Sequence, residues 1–163
     1  MRIGIDLGGT KTELIALDHA GHECLRLRRP TPAGEYSATL TLIGDMVRQA
    51  ELELGTSATV GLGTPGAMAG NGNGRMQNCN STCLNGKPLK ADLEELLARE
   101  IRMANDANCF ALSEAVDGAG KGGHVVFGVI LGTGVGAGIV VHGQVLNGSN
   151  GIAGEWGHNP LPA

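Results

Sequence analysis

Two short glycine–threonine turns constrain this chain more than any other feature. Gly8-Gly9-Thr10-Lys11 and Leu131-Gly132-Thr133-Gly134 stand more than a hundred residues apart. Each follows directly on an alternating, strand-like run, "RIGIDL" before the first and "HVVFGVI" before the second. Taken singly, either turn could serve a plain β-hairpin. As a pair they fit two lobes that each open with a hairpin. In both, the glycines let backbone N–H groups approach an oxyanion closely, and Thr10, Thr133 and Lys11 supply further donors. Asp6, at the end of the first strand, can hold a hydrated magnesium ion beside the first turn.

Glycine makes up 28 of 163 residues, against six prolines, in phrases such as "GLGTPG", "GNGNG" and "GAGKGG". That pattern reads as turns and close backbone approaches rather than a flexible linker. A hydrophobic share of 42% is enough for a packed core. One Trp, one Tyr and two Phe offer few stacking surfaces for bases, and a net charge of −4 gives no phosphate-tracking face. A nucleic-acid partner is therefore excluded. No apolar run reaches membrane-spanning length, and Asp6, Glu13 and Asp18 interrupt the stretch where a signal peptide would be apolar, so a cytoplasmic protein without a membrane partner is expected. Of Cys24, Cys79, Cys83 and Cys109, only Cys79 and Cys83 approach metal-ligand spacing, and no second pair closes a tetrahedral site. Reduced, mostly packed thiols are expected.

Alternation through residues 2–7, 12–17 and 23–29, with a turn at 18–21, predicts a three-stranded antiparallel meander. Residues 35–54 carry Leu40, Ile43, Met46, Val47, Ala50 and Leu54 at helical spacing, and Gly55 follows as a stop. Next come a short buried strand at 57–63, a long loop at 64–88, a helix at 89–100, a strand at 101–106 and a helix at 107–116. The loop exceeds ordinary connection lengths and is expected to be functional or mobile. A glycine-rich break at 118–123 is the candidate hinge, and two or three strands follow it.

Familiar phosphate signatures fail on context. Gly61-Leu62-Gly63-Thr64-Pro65-Gly66 matches G-x-G-x-x-G, but loop follows where a dinucleotide site needs a helix. No G-x-x-x-x-G-K-[ST], G-x-S-x-G, H-E-x-x-H or EF-hand pattern is present.

Five ordered motifs, "IDLGGTKTE", "GLGTPG", "NDANCFALSE", "LGTGVGAGIV" and "GIAGEWGH", together resemble the ROK sugar kinases, a branch of the actin/hexokinase/Hsp70 superfamily. "GEWGHNPLP" resembles most the bacterial fructokinase, or mannofructokinase-like, and N-acetylglucosamine kinase branch. The resemblance implies an α/β, ribonuclease H-like fold. Residues 1–117 would form the sugar-side lobe and 118–163 the beginning of the nucleotide-side lobe. It further implies an N-terminal portion of a longer protein, without the helix-turn-helix of ROK repressors.

The site follows residue by residue from that resemblance. Asp6, Gly8, Gly9, Thr10 and Lys11, with Gly132, Thr133 and Gly134, would hold ATP and Mg2+. Asp106 would be the general base for the attacking sugar hydroxyl; read alone, it could equally be a helix N-cap. Asn80 and Asn105 would bond sugar hydroxyls, Gly66 would let the backbone approach the sugar, and Glu155 would accept from hydroxyls. His158 would bridge the sugar and a structural Zn2+. The expected activity is ATP-dependent phosphorylation of a hexose 6-hydroxyl, with fructose first, then glucose or mannose, then N-acetylglucosamine. A non-catalytic sugar-binding or self-assembling module is the alternative. The isolated chain is expected to be a poor kinase and a homo-oligomer, because apolar strands such as "VVFGVIL" need cover.

Overall fold

The computed structural model describes residues 1–70, 72–131, 135–154 and 156–158, with His158 by its backbone alone. The alternating segments form β1 (Arg2–Leu7), β2 (Lys11–Leu17) and β3 (Glu23–Pro30), the expected antiparallel meander. After α1 (Tyr36–Leu54), β4 (Thr59–Thr64) returns parallel to β1. Then come β5 (Ala67–Met68), β6 (Met76–Gln77), α2 (Leu89–Leu97) and β7 (Ile101–Asn105). The main sheet has the order β3-β2-β1-β4-β7.

Period-two alternation puts Ile3, Ile5, Leu7, Leu14, Ala16, Val60 and Leu62 into one buried cluster. Ile43, Met46, Val47 and Ala50 of α1 join them, with Leu89, Leu93 and Leu97 of α2. Among the intervening residues of the strands, Asp6, Arg26 and Arg28 are exposed. A helix therefore covers the sheet as expected, and the apolar stripe of α1 drives it there.

Helix α1 stops at Gly55, which takes the left-handed conformation with φ of 64°. Helix α2 ends at Leu97, earlier than its sequence pattern suggests, with Ala98 left-handed at φ 51°. The chain leaves the helix there because Arg99 is bound elsewhere. Its guanidinium meets both carboxylate oxygens of Glu51, at 2.5 and 3.0 Å, and the Ala58 carbonyl at 2.9 Å. Tertiary pairing overrides helix propensity at this end.

The long loop is partly organised. β5 and β6 pair antiparallel, and a 3-10 turn follows at Thr82–Leu84.

Two compact units emerge, Met1–Met68 with Asn73–Ala104, and Ala69–Gly72 with Asn105–Ala163. In the second, α3 (Asp106–Val116) packs on β8 (Val125–Leu131) and β9 (Val135–Val141), with β10 (Gln144–Val145) pairing to β9. A Cβ at Gly128 or Gly138 would lie 2.9 or 2.8 Å from the Ala111 Cβ, so both strands need glycine beneath the helix. The division thus falls before α3, one helix earlier than the sequence division at 117/118. The 118–123 break lies inside the second unit, tied by Gly120 N–H to Glu114 (2.9 Å) and Gly123 N–H to Gly120 (3.0 Å), and does not separate the units. Val125, Phe127 and Leu131 of β8 are 63%, 53% and 75% exposed, an apolar face of edge strand open to solvent. No helix among the described residues is long and apolar enough to cross a membrane.

Candidate functional site

In the first unit, the turn from Gly8 to Lys11 joins β1 to β2. The Gly8 N–H donates to the Lys11 carbonyl at 3.0 Å. A Cβ on Gly8 would sit 2.7 Å from that same carbonyl oxygen, so the turn closes only on glycine. At Gly9 a Cβ would meet only the Ser81 Oγ, at 3.3 Å, and neither glycine has a positive φ. Gly9, Thr10 and Lys11 are exposed. Asp6 ends β1 opposite Glu13 of β2 and is exposed. Glu13 is itself paired with Arg26 and Arg28, which hold its carboxyl below the usual carboxylate range.

Beside this turn is a cavity of about 310 Å³. Gly9 and Thr10 form one wall, residues 31–34 another, and Asn80 to Leu84 a third. Asn80 is exposed, with its N–H 3.4 Å from the Pro65 carbonyl. Its neighbour Cys79 is buried and clamped by Asn85, whose Oδ1 accepts from Cys79 N–H (2.9 Å) and whose Nδ2 donates to the Cys79 carbonyl (3.2 Å). A Cβ on Gly66 would collide with this segment, 2.5 Å from Cys79 Sγ and 2.7 Å from the Gln77 carbonyl. The missing side chain therefore seats the Asn80 loop against "GLGTPG". Thr64, fully buried, has its hydroxyl 2.9 Å from the Gly66 carbonyl and 3.2 Å from that of Ala104, with one proton to share.

The thiols depart from expectation. Cys79 is packed and Cys83 half-buried, but Cys24 and Cys109 are exposed. Burial pushes the Cys79 thiol up to about 11, with Cys83 nearby adding to the shift, so at neutral pH it is a protonated packing group. No group of three or more His, Cys, Asp or Glu suited to a metal ion occurs among the described residues.

β7 runs out at Asn105, where the second unit begins, and α3 begins at Asp106. The helix cap is divided. Asn105 Oδ1 accepts from the N–H groups of Ala107 (2.9 Å) and Asn108 (3.4 Å), and Asp106 Oδ1 accepts from Ala107 at 2.7 Å. The capping role that residue type alone allowed for Asp106 falls mainly to Asn105, and Asp106 is left exposed. Behind them Asn108, 6% exposed, buries an Oδ1 without a hydrogen-bond partner. A Cβ on Gly154 would lie 2.7 Å from the Ala137 carbonyl, and one on Gly157 would overlap that of Val135, so Gly154 and Gly157 both lie directly against β9. Trp156 meets Phe127 with ring centroids 6.2 Å apart. Gly132, Thr133, Gly134, Glu155 and the His158 side chain lie outside the described residues.

Residues 2–163 match the model of the ROK family. The chain belongs to the ROK family. It is 44% identical, over its whole length, to an N-acetyl-D-glucosamine kinase of Pectobacterium atrosepticum, covering 53% of that protein. Among solved structures it resembles a ROK hexokinase of Thermus thermophilus, at 32% identity and TM-score 0.85, over 99% of this chain and 53% of that one. A ROK family glucokinase of Streptomyces griseus, solved with glucose and AMPPNP, superposes with the same TM-score at 29% identity, over 99% of this chain and 51% of that one. The fold is thus the actin/hexokinase-like one. This ROK chain spans about half the length of the curated relatives it matches.

Sequence reading missed the residues that hold these loops in shape: Thr31, Thr64 and Asn85. The meander's register carried a signal for one of them. Lys11 pairs with Pro30, which sets Thr31 level with the first turn. Nothing in the sequence marks Asn85, whose clamp depends on a loop path no periodicity encodes.

Proposed function

We propose that this chain supplies the sugar-binding and catalytic-base part of an ATP-dependent sugar kinase acting on the 6-hydroxyl of an N-acetylhexosamine, with N-acetylglucosamine first. The observation that carries the reading is the placement of Asp106, an exposed carboxylate at the junction of β7 and α3, anchored through one oxygen only. Its Oδ2 would accept the proton of the attacking hydroxyl, a contribution worth about 10²–10⁴ in rate. Asn105, its Oδ1 engaged in capping, would offer its Nδ2 to a sugar hydroxyl. Asn80 would bond a second hydroxyl from the cavity wall, and Gly66 would act by seating the Asn80 loop. Glu155 would take a further hydroxyl.

The first turn would receive phosphate oxygens on exposed backbone N–H groups, with Lys11 adding charge and Gly132, Thr133 and Gly134 doing the same in the second lobe. Magnesium, when bound, neutralises charge on the phosphates; Asp6, exposed beside the turn, fits a water-mediated contact to it. For zinc the fit is incomplete, since His158 is the single ligand proposed in this chain, and no catalytic step is assigned to that metal.

N-acetylglucosamine replaces fructose as first substrate because the relatives over the whole chain carry that activity in their names. Binding of N-acetylglucosamine, glucose and fructose, measured by calorimetry on the protein at the length of its relatives, tests this. The reading requires N-acetylglucosamine to bind at least tenfold more tightly than fructose. A second reading, a self-associating module, is supported by the open face of β8, and a homo-oligomer is proposed on that ground.

A further inference from the structure

We propose that Thr31 is the positioning residue of the first glycine turn, setting how firmly the turn holds a phosphate. The inference rests on the reading of that turn as a phosphate site.

Thr31 follows β3 and is bound to the turn twice and to Thr12 of β2 once. Its N–H donates to the Thr10 carbonyl at 3.0 Å. Its hydroxyl donates to the Gly8 carbonyl at 2.8 Å. The same oxygen lies 2.8 Å from the Thr12 hydroxyl. Since the single Thr31 proton goes to Gly8, Thr12 must be the donor in the pair of hydroxyls. Thr12 is fully buried, so its end of the chain Thr12 to Thr31 to Gly8 is shielded from water, and the chain has one sense only.

Peptide planarity gives this chain its consequence. No peptide bond here is cis, so the Gly9 N–H points opposite to the Gly8 carbonyl in the unit they share. Holding that carbonyl toward Thr31 aims the Gly9 N–H away from β3. Fixing the Thr10 carbonyl constrains the next peptide in the same way. A phosphate oxygen then meets a donor already oriented, and little ordering is left to binding. Without the Thr31 hydroxyl, the Gly8–Gly9 peptide can rotate, because a glycine lies on each side of it.

The test compares wild type, Thr31→Val and Thr31→Ser, each at the full length of the relatives. Dissociation constants for Mg-ATP and for N-acetylglucosamine are measured by calorimetry, with KM values for both and the thermal midpoint alongside. Valine keeps the shape and removes the hydroxyl; serine restores the hydroxyl. The expected result is about a tenfold weaker Mg-ATP affinity in the valine variant, sugar affinity within twofold of wild type, and recovery in the serine variant. If the valine variant does not fold, Thr31→Ala enters the same comparison. Unchanged Mg-ATP affinity in a folded valine variant, or equal loss of both ligands, would overturn the positioning role while leaving the phosphate site standing. Failure of the wild-type protein to bind Mg-ATP would overturn the phosphate reading and this inference with it.

Discussion

Asn105 caps the helix that Asp106 begins. Because the Asn105 Oδ1 takes two backbone N–H groups, the first turn of α3 is held without drawing both oxygens of the Asp106 carboxylate into the cap. One residue fixes the helix end and the next keeps an oxygen outside the cap.

Asp106→Asn is therefore expected to lower kcat by about 10²–10⁴, with sugar affinity within tenfold, since the amide still bonds a hydroxyl but accepts no proton. Steady-state kinetics and calorimetry check this. Asn105→Ala should instead cost about 1 kcal/mol of stability through the lost cap, seen as a lower thermal midpoint.

The two glycines of the first turn are expected to differ. A side chain on Gly8 meets the Lys11 carbonyl at 2.7 Å, whereas one on Gly9 meets only the Ser81 hydroxyl at 3.3 Å. Gly8→Ala should weaken Mg-ATP binding tenfold or more, on the order of 1.4 kcal/mol, because the turn must reopen. Gly9→Ala should cost clearly less, and Gly9→Val should act by crowding the phosphate path rather than by backbone strain. Calorimetric titration of both alanine variants separates them.

Much of this was legible in the sequence because periodicity encodes which face of an element is buried. The meander, α1 with its Gly55 stop, and the β7–α3 junction at Asn105 and Asp106 all follow from alternation, helical spacing and turn chemistry. What was not legible depends on contacts between distant segments. Arg99 ends α2 early by reaching Glu51, forty-eight residues away in sequence. The grouping of α3 with β8 and β9 rests on bare glycines at 128 and 138, which composition reads as close backbone approaches without naming what approaches. Gly66 was expected to serve the sugar directly, and the structure gives it a packing reason, the Cys79 segment.

That packing makes its own prediction. Gly66→Ala forces a methyl group into the Gln77 carbonyl and the Cys79 sulfur, and should destabilise by about 1–3 kcal/mol. Cys79→Ala alongside should not rescue it fully, because the Gln77 carbonyl remains. Urea denaturation of the single and double variants decides the point.

The Glu51–Arg99 pair should govern acid stability. The Arg99 guanidinium holds the Glu51 carboxyl below its ordinary value of 4.5, against an opposing push from burial, and the Ala58 N–H adds to the lowering. A folded-state value below the unfolded one means the unfolded chain binds more protons in this window. The stabilisation is complete above pH 4.5 and is lost as pH falls through the folded value. Thermal midpoints measured from pH 7 downward should fall below about pH 4.5 in wild type and fall less steeply in Glu51→Gln, which should also start lower at neutral pH.

In the proposed reaction a phosphoryl group passes to the 6-hydroxyl of an acetamido sugar with Asp106 as base. The most direct measurement is ADP release by the protein at the length of its relatives, with N-acetylglucosamine, glucose, mannose and fructose compared by kcat/KM and the product's phosphate position assigned by NMR. N-acetylglucosamine is expected to lead and to be phosphorylated at its 6-hydroxyl, with turnover lost in Asp106→Asn. Preference for fructose, or turnover within tenfold of wild type in Asp106→Asn, would contradict it.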